Sequence, residues 1–353
     1  MASRSRSNPN RRITIRDVAA AAGVTPMTVS NVLNRRAGEV GRETQDRVIE
    51  VCRQLGYKPH ASARRLRTDR RMAVGLVIVD PSPNYLSDPF IAALFAGLTD
   101  CLGPQGYSLV LHGSHPDGVG AIPLLQQIET DALCAVLSGS LRQRRAFMRR
   151  LAEARQPLVL LQEEHSELVG GLAGDDVCTV VQDDRGGGVA IAQHLLTGSC
   201  QHIVMLVPEI EWSAMVRREA GLRAVLSRAR PRRTLRILPC GDEGYVATQA
   251  ALAAYVARHG LPDTVVGGND QMAIAAMKFF QARGLVVPRD IRVTGFNGFE
   301  VWRYSSPELT TVFSPAYDMG RNAGQAILAR LQNGRFPFRE QVLSVTLQAN
   351  GSS

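Results

Sequence analysis

Between Thr25 and Asn34 the chain sets five hydrogen-bonding side chains, Thr25, Thr28, Ser30, Asn31 and Asn34, among the apolar Val29, Val32 and Leu33. The apolar three fall on one side of a helix, and the polar residues, with Pro26 and Met27, fall on the other. On such a face Asn31 can pair with N6 and N7 of adenine, and Pro26 or Met27 can touch a thymine methyl. Thr25, Thr28, Ser30 and Asn34 suit phosphate oxygens. This is recognition chemistry rather than bond-breaking chemistry. Nothing elsewhere is spaced for catalysis: there is no G-x-S-x-G elbow and no phosphate loop ending in Gly-Lys-Ser/Thr. The 7 histidines and 6 cysteines form neither H-x-x-x-H nor C-x-x-C, so no metal site, cofactor or catalytic residue is expected. The Arg-Gly-Gly-Gly run at 185–188 lacks phosphate-loop spacing and reads as a crossover that leads into a helix.

The elements that must position Thr25–Asn34 are three short helices. Thr14 and Asp17 fit a capping box, followed by Ile15, Val18, Ala19 and Ala22 on one face. Gly23 suits the left-handed end of that helix, and Thr25-Pro26 restarts a second one as cap and first residue. A third helix, about Arg42–Leu55, should bury Val48, Cys52 and Leu55 and stop at Gly56. Two short helices about a tight glycine turn make a helix-turn-helix, whose second helix places its N-terminal residues against base edges. The alternative is a small helical bundle with no such role. Charge weighs against it: residues 1–71 carry 16 basic and 6 acidic side chains, whereas the rest of the chain carries 25 and 26. A basic head on a neutral body implies a polyanion bound by the head.

From Met72 the pattern changes. Continuous apolar runs such as MAVGLVIVD (72–80), HIVMLVP and IRVTGF alternate with helical stretches, including one expected near 119–130. Strands alternating with helices imply parallel sheets, and two such series imply two lobes with a cleft between them. Ligands of open parallel sheets bind beyond the carboxyl ends of the strands, which points to Asp80, Ser138, Gln162, Asp270 and Asn297. Asp270 could equally cap the helix that follows it. With 353 residues, 45% of them hydrophobic, the chain can bury more than one core. No run approaches the roughly 20 apolar residues of a membrane helix, and MASRSRSNPNRR is not a secretory signal, so the expected location is the cytoplasm.

ITIRDVAAAAGVTPMTVSNVLN and ETQDRVIEVCRQLGYKPHASARRLR, spanning about 13–67, resemble the lactose/galactose-repressor (LacI/GalR) family of transcriptional regulators. The resemblance continues more weakly through GGNDQMAIAAM, GLVVPRDIRVTGF and SPELTTV. It implies an all-α helix-turn-helix head and an α/β core of the periplasmic-binding-protein type with two parallel-sheet lobes. The divisions expected are a basic arm at 1–12, a DNA-binding domain at 13–57, a hinge at 58–71 and an effector-binding core at 72–353. Lobe one would take about 72–181 and 298–333, and lobe two about 182–297 and 334–353. By the same resemblance Tyr57, Ala63 and Leu66 belong to the DNA-contacting segment, with Leu66 as a minor-groove wedge. Phe90, Trp212, Arg218 and Asp270 become effector contacts beside Gln162 and Asn297, although Trp212 could simply pack at the rim and Arg218 lie on the surface. Gln162-Glu163 and Asn297 stand where the family commonly has Asp-Arg and Asp.

These readings imply a regulator, most consistent with a repressor, whose partners are double-stranded operator DNA and a small-molecule effector of the sugar class. A homodimer is expected, because no leucine-heptad tail follows LSVTLQ. A solute-binding protein of a transport system would share the body but not the head.

Overall fold

In the computed structural model, Thr14 and Asp17 start the head reciprocally. The Asp17 N–H donates to Thr14 Oγ1 at 3.4 Å and the Thr14 N–H donates to Asp17 Oδ2 at 2.8 Å. Helix α1 (Ile15–Ala22) ends at Gly23, whose φ of 63° lies in the left-handed region that favours glycine. Helix α2 (Pro26–Leu33) follows, its Thr28 N–H held by the Thr25 hydroxyl at 3.1 Å. Helix α3 (Arg42–Gln54) starts at Gly41 without a side-chain cap. Val18, Val29 and Val48, one from each helix, are fully buried together, with Leu33, Leu55 and Tyr57 packed around them. Burial of this kind contributes about 1.5–3 kcal/mol for each large apolar side chain.

The structure describes residues 13–33, 40–57, 70–82, 85–117, 129–169, 176–198 and 200–353. The expected arm at 1–12, Asn34, nearly all of the hinge with Ala63 and Leu66, and most of the helix expected near 119–130 lie outside them. The chain divides into two units, Met1–Arg71 and Met72–Ser353.

The second unit holds two six-stranded sheets. The first contains β1 (Ala73–Val79), β2 (Ser108–Ser114), β3 (Ala132–Val136), β4 (Leu158–Leu161) and β5 (Val177–Gln182), joined by β11 (Glu340–Leu343) at the edge beside β5. All its pairings are parallel. The second contains β6 (His202–Val207), β7 (Thr234–Pro239), β8 (Thr264–Gly267), β9 (Arg292–Asn297) and β10 (Thr310–Phe313), with β12 (Thr346–Gln348) antiparallel at its edge. Every residue of β1 is buried. Val74, Leu76 and Ile78 meet α4 (Pro89–Leu102) and α11 (Ala316–Asn333) on one face. Val77 and Val79 meet α5 (Leu141–Ala152) and α6 (His165–Leu168) on the other. A sheet covered on both sides requires such unbroken apolar runs. In the second lobe α7 (Asp184–Leu195) and α8 (Ser213–Leu226) cover one face, and α9 (Tyr245–His259) and α10 (Asp270–Gln281) the other. No described helix is long and apolar enough to cross a membrane.

The lobe divisions differ from those expected in two places. Residues 298–313 belong with lobe two, because β10 pairs in parallel with β9, Thr310 opposite Thr294. Residues 340–343 belong with lobe one, because β11 pairs in parallel with β5. The chain therefore passes between the lobes after β5, between β10 and α11, and between β11 and β12.

Candidate functional site

The head's candidate surface is the outer face of α2. Met27 is 66% exposed and Pro26 is exposed, while Ser30 and Asn31 are half-buried. The Thr25 and Thr28 hydroxyls lie 2.9 Å apart and share a hydrogen bond, which fixes the start of the helix. Tyr57 packs its half-buried ring on the head's core, and burial pushes its phenol pKa up.

In the body, five of the six expected effector contacts, Phe90, Gln162, Trp212, Arg218 and Asn297, line one cleft at the carboxyl ends of both sheets. Gln162 follows β4 and Asn297 ends β9, and both hold left-handed backbones, with φ of 64° and 115°. Non-glycine residues in that region cost of order 1–3 kcal/mol and cluster where a chain must aim a side chain at a ligand. Gln162 also joins the lobes: its carbonyl oxygen accepts from Ser213 Oγ at 2.7 Å and from Arg217 at 3.0 Å. Its own side-chain Oε1 is buried without a partner.

Arg218 is held by close helix packing. A Cβ on Gly188 of α7 would collide with the Arg218 backbone on α8, and one on Gly221 of α8 would collide with the Arg185 backbone on α7. Glycine at both positions lets the helices touch, which is the use the structure makes of the Arg-Gly-Gly-Gly run. The contact brings the fully buried Asp184 carboxylate to Arg218 Nε at 2.9 Å and to Arg217 at 2.8 Å. The Arg218 guanidinium stacks on Phe296 at 3.5 Å and donates to the Gly268 carbonyl and to Asn297 Oδ1. Burial lowers its pKa and Asp184 opposes that shift. It is a buried, pre-aimed donor rather than a surface arginine.

Asp270 does not line the cleft. Helix α10 begins at Asp270, and Asn269 is its cap, accepting from the Met272 N–H at 2.9 Å. That geometry turns the Asp270 carboxylate away, to Thr311 Oγ1 at 2.5 Å and the Gly298 N–H at 2.8 Å. Burial pushes its pKa up to about 7. Both functions weighed for Asp270 are thus corrected: Asn269 caps the helix and lines the cleft, and Asp270 ties β10 and the loop after β9 to the helix start.

The cleft also contains Asp80 and Ser138, to which the strand-end rule points, and Tyr85, Asp88 and Glu243, which the sequence does not single out. Asp80 and Ser138 fit the strand-end rule, and the same rule applied beyond β7 reaches Glu243. Ser138 is spent on structure, its hydroxyl donating to the Val79 carbonyl at 2.6 Å. Asp88 caps α4, accepting from the Phe90 N–H at 2.9 Å, and burial pushes its pKa up to about 6. Among the described residues no group of His, Cys, Asp and Glu could hold a metal ion.

Two family models match the chain: "Bacterial regulatory proteins, lacI family" over residues 14–60, and "Periplasmic binding protein-like domain" over 192–353. The HTH-type transcriptional regulator CelR of Thermobifida fusca is 29% identical over 325 residues, covering 91% of this chain and 92% of CelR. The HTH-type transcriptional repressor PurR of Vibrio atlanticus (strain LGP32) is 26% identical over the same coverage. The solved CelR–cellobiose complex superposes with a TM-score of 0.69 at 26% identity, covering 97% of this chain and 100% of the other. The Lac repressor dimer bound to operator and the anti-inducer ONPF reaches a TM-score of 0.79 at 22% identity, covering 97% and 99%, and shows the same fold.

Proposed function

Because the chain belongs to the lacI family of bacterial regulatory proteins, with a periplasmic-binding-protein-like body behind the family's head, we propose that it represses transcription from operator DNA under the control of a small polar effector held in the cleft. Its relatives are transcriptional regulators and not enzymes, and no reaction is assigned to the cleft. The observation that carries the reading is the lacI-type head, whose outer α2 face presents Pro26, Met27, Ser30 and Asn31. Asn31 reads a base edge, and Thr25, Thr28, Ser30 and the head's basic side chains hold phosphates. Asn34, from the polar pattern of 25–34, and Tyr57, Ala63 and Leu66, by family resemblance, complete the DNA-contacting set.

In the body, Phe90, Gln162, Trp212, Arg218 and Asn297 form the effector site, with Asn269 in the place first given to Asp270. A pocket that sets hydrogen-bonding side chains beside aromatic ones suits a small hydroxylated ligand, and CelR was solved with cellobiose. The ligand shifts the regulator only by binding one lobe arrangement better than another. The working unit is a homodimer acting in the cytoplasm. A solute-binding role would use the same cleft, but it leaves the basic head without a purpose.

The test is fluorescence anisotropy of the full chain on duplex DNA from upstream of its own gene. Specific binding that a cleft ligand alters supports the reading. Binding with no preference over random duplex counts against the operator function.

A further inference from the structure

The cleft's ionisable lining is unbalanced. Three carboxylates, Asp80, Asp88 and Glu243, face one guanidinium, Arg218, and that guanidinium is already matched by Asp184 behind it. Among the described residues none of the three carboxylates has an ion-pair partner. Asp80 accepts from the Ser82 N–H at 2.8 Å and has the Trp212 side chain beside it, and Asp88 accepts from the Phe90 N–H. These donors are neutral. The three acids come from three separate places, the end of β1, the cap of α4 and the loop before α9, and each of Asp88 and Glu243 feels the charge of its neighbours. Tyr85, Phe90 and Trp212 stand around them. Independently, the buried and unpartnered Oε1 of Gln162 calls for a donor from the ligand, since Gln162 is 9% exposed and lines the same cleft. A neutral sugar satisfies the lone pairs but leaves like charges crowded in a site where burial already desolvates them. A cation satisfies both, and aromatic faces beside carboxylates are the surroundings an ammonium group prefers.

We propose that the effector carries a protonated amine, seated among Asp80, Asp88 and Glu243, as in an amino sugar or a small aliphatic amine. This rests on the cleft being the effector site. The test titrates the full chain by calorimetry with matched probes: glucosamine against glucose, galactosamine against galactose, and putrescine against 1,4-butanediol. At least one amine should bind 10-fold or more tightly than its neutral counterpart, a ratio of the size a single well-placed charge supplies, roughly 10-fold for 1.4 kcal/mol. Asp88→Asn, which retains a helix cap, should bring that ratio towards one. Without ligand, Asp88→Asn and Glu243→Gln should each raise Tm, because each relieves repulsion. Neutral probes binding as well as the amines overturn the cationic class while leaving the effector site standing. Binding that Trp212→Ala and Asp88→Asn both leave unchanged overturns the site itself. Silence from every amine at millimolar concentration, or no rise in Tm for either variant, overturns the proposal.

Discussion

The head and the body use polar side chains under opposite conditions. On the head, Met27 and Pro26 stand in water, Ser30 and Asn31 are half-buried beside them, and the surplus of arginine is spread over residues 1–71. In the body, Arg218, Asp184, Asn269 and Asn297 are almost wholly buried, and each is held by another side chain or by the backbone. Exposed charge acts at a distance and is screened by salt, whereas buried charge acts only at contact and is screened little. The head is therefore built to find a long polyanion, and the cleft to discriminate a small molecule by its atoms.

Salt gives the largest effect. If the head neutralises 6–10 phosphates, affinity for any duplex should fall by about 10³–10⁵ between 50 and 200 mM salt. Residues 72–353 alone should bind no duplex at all, having 25 basic side chains against 26 acidic. Anisotropy titrations across that range decide it. Binding by the body alone would erase the division between the two regions.

Arg218→Ala comes next. It takes from the fully buried Asp184 one of its two guanidinium partners and leaves it, among the described residues, Arg217 and Gln182. Breaking a buried pair so that one charge is left uncompensated costs about 3–5 kcal/mol, and the remaining Arg217 ion pair makes that an upper bound here. Denaturant unfolding should show that loss, and calorimetry should show no effector binding, while anisotropy at a temperature where the variant stays folded should show operator affinity retained. Full stability in this variant would mean that the Arg218–Asp184 contact is not formed as described.

The two regions were also legible to different degrees. Helix starts in the head depend on neighbours in sequence, so Thr14 with Asp17, Gly23 and Thr25 could be read directly and stand where expected. The parallel strands of the body were legible for a similar reason, since a run such as 73–79 has no polar face to offer water. What could not be read was the partner of a strand. Residues 310–313 and 340–343 are short strands whose composition says nothing about which sheet they join, and both were assigned to the wrong lobe. Side-chain direction was equally hidden at the start of α10: spacing located the helix to within a residue, but a shift of one position exchanges the cleft for the back of the wall, and with it Asn269 for Asp270. Asp88 and Glu243 were missed because they lie in loops or caps, where no periodicity marks a side chain as facing a ligand.

Asn31→Ala tests the head at smaller scale. Loss of a bidentate contact to adenine should cost about 1–3 kcal/mol at one base pair of each half-site and nothing at the others. Met27 and Pro26 can offer a base only apolar contact, and their substitution should move affinity less. Selection of operators from a random library by both proteins would show the change. An unaltered preference would place base reading on another face of the head.

The last effect concerns acid and the ionisation of Asp270. Its carboxyl, ordinarily titrating near 3.8, is pushed up to about 7 by burial, and Glu163 beside Arg144 is pushed from 4.5 to about 7 for the same reason. Both therefore hold protons in the folded body that they release in the unfolded chain. Where the native state binds more protons than the unfolded one, stability declines with rising pH, so the body should lose stability between about pH 4 and pH 7 and level off above that. The head differs in sign: Glu50 is lowered to about 2 by Arg53 and Gln54, and its contribution is lost only as pH falls below the usual carboxylate range. Asp270→Asn supplies a neutral group that still accepts from Thr311, so it should flatten part of the pH slope in thermal unfolding and leave effector affinity unchanged. If the variant keeps the full slope and loses effector binding, the carboxylate reaches the cleft after all, and Asn269 must give the position back.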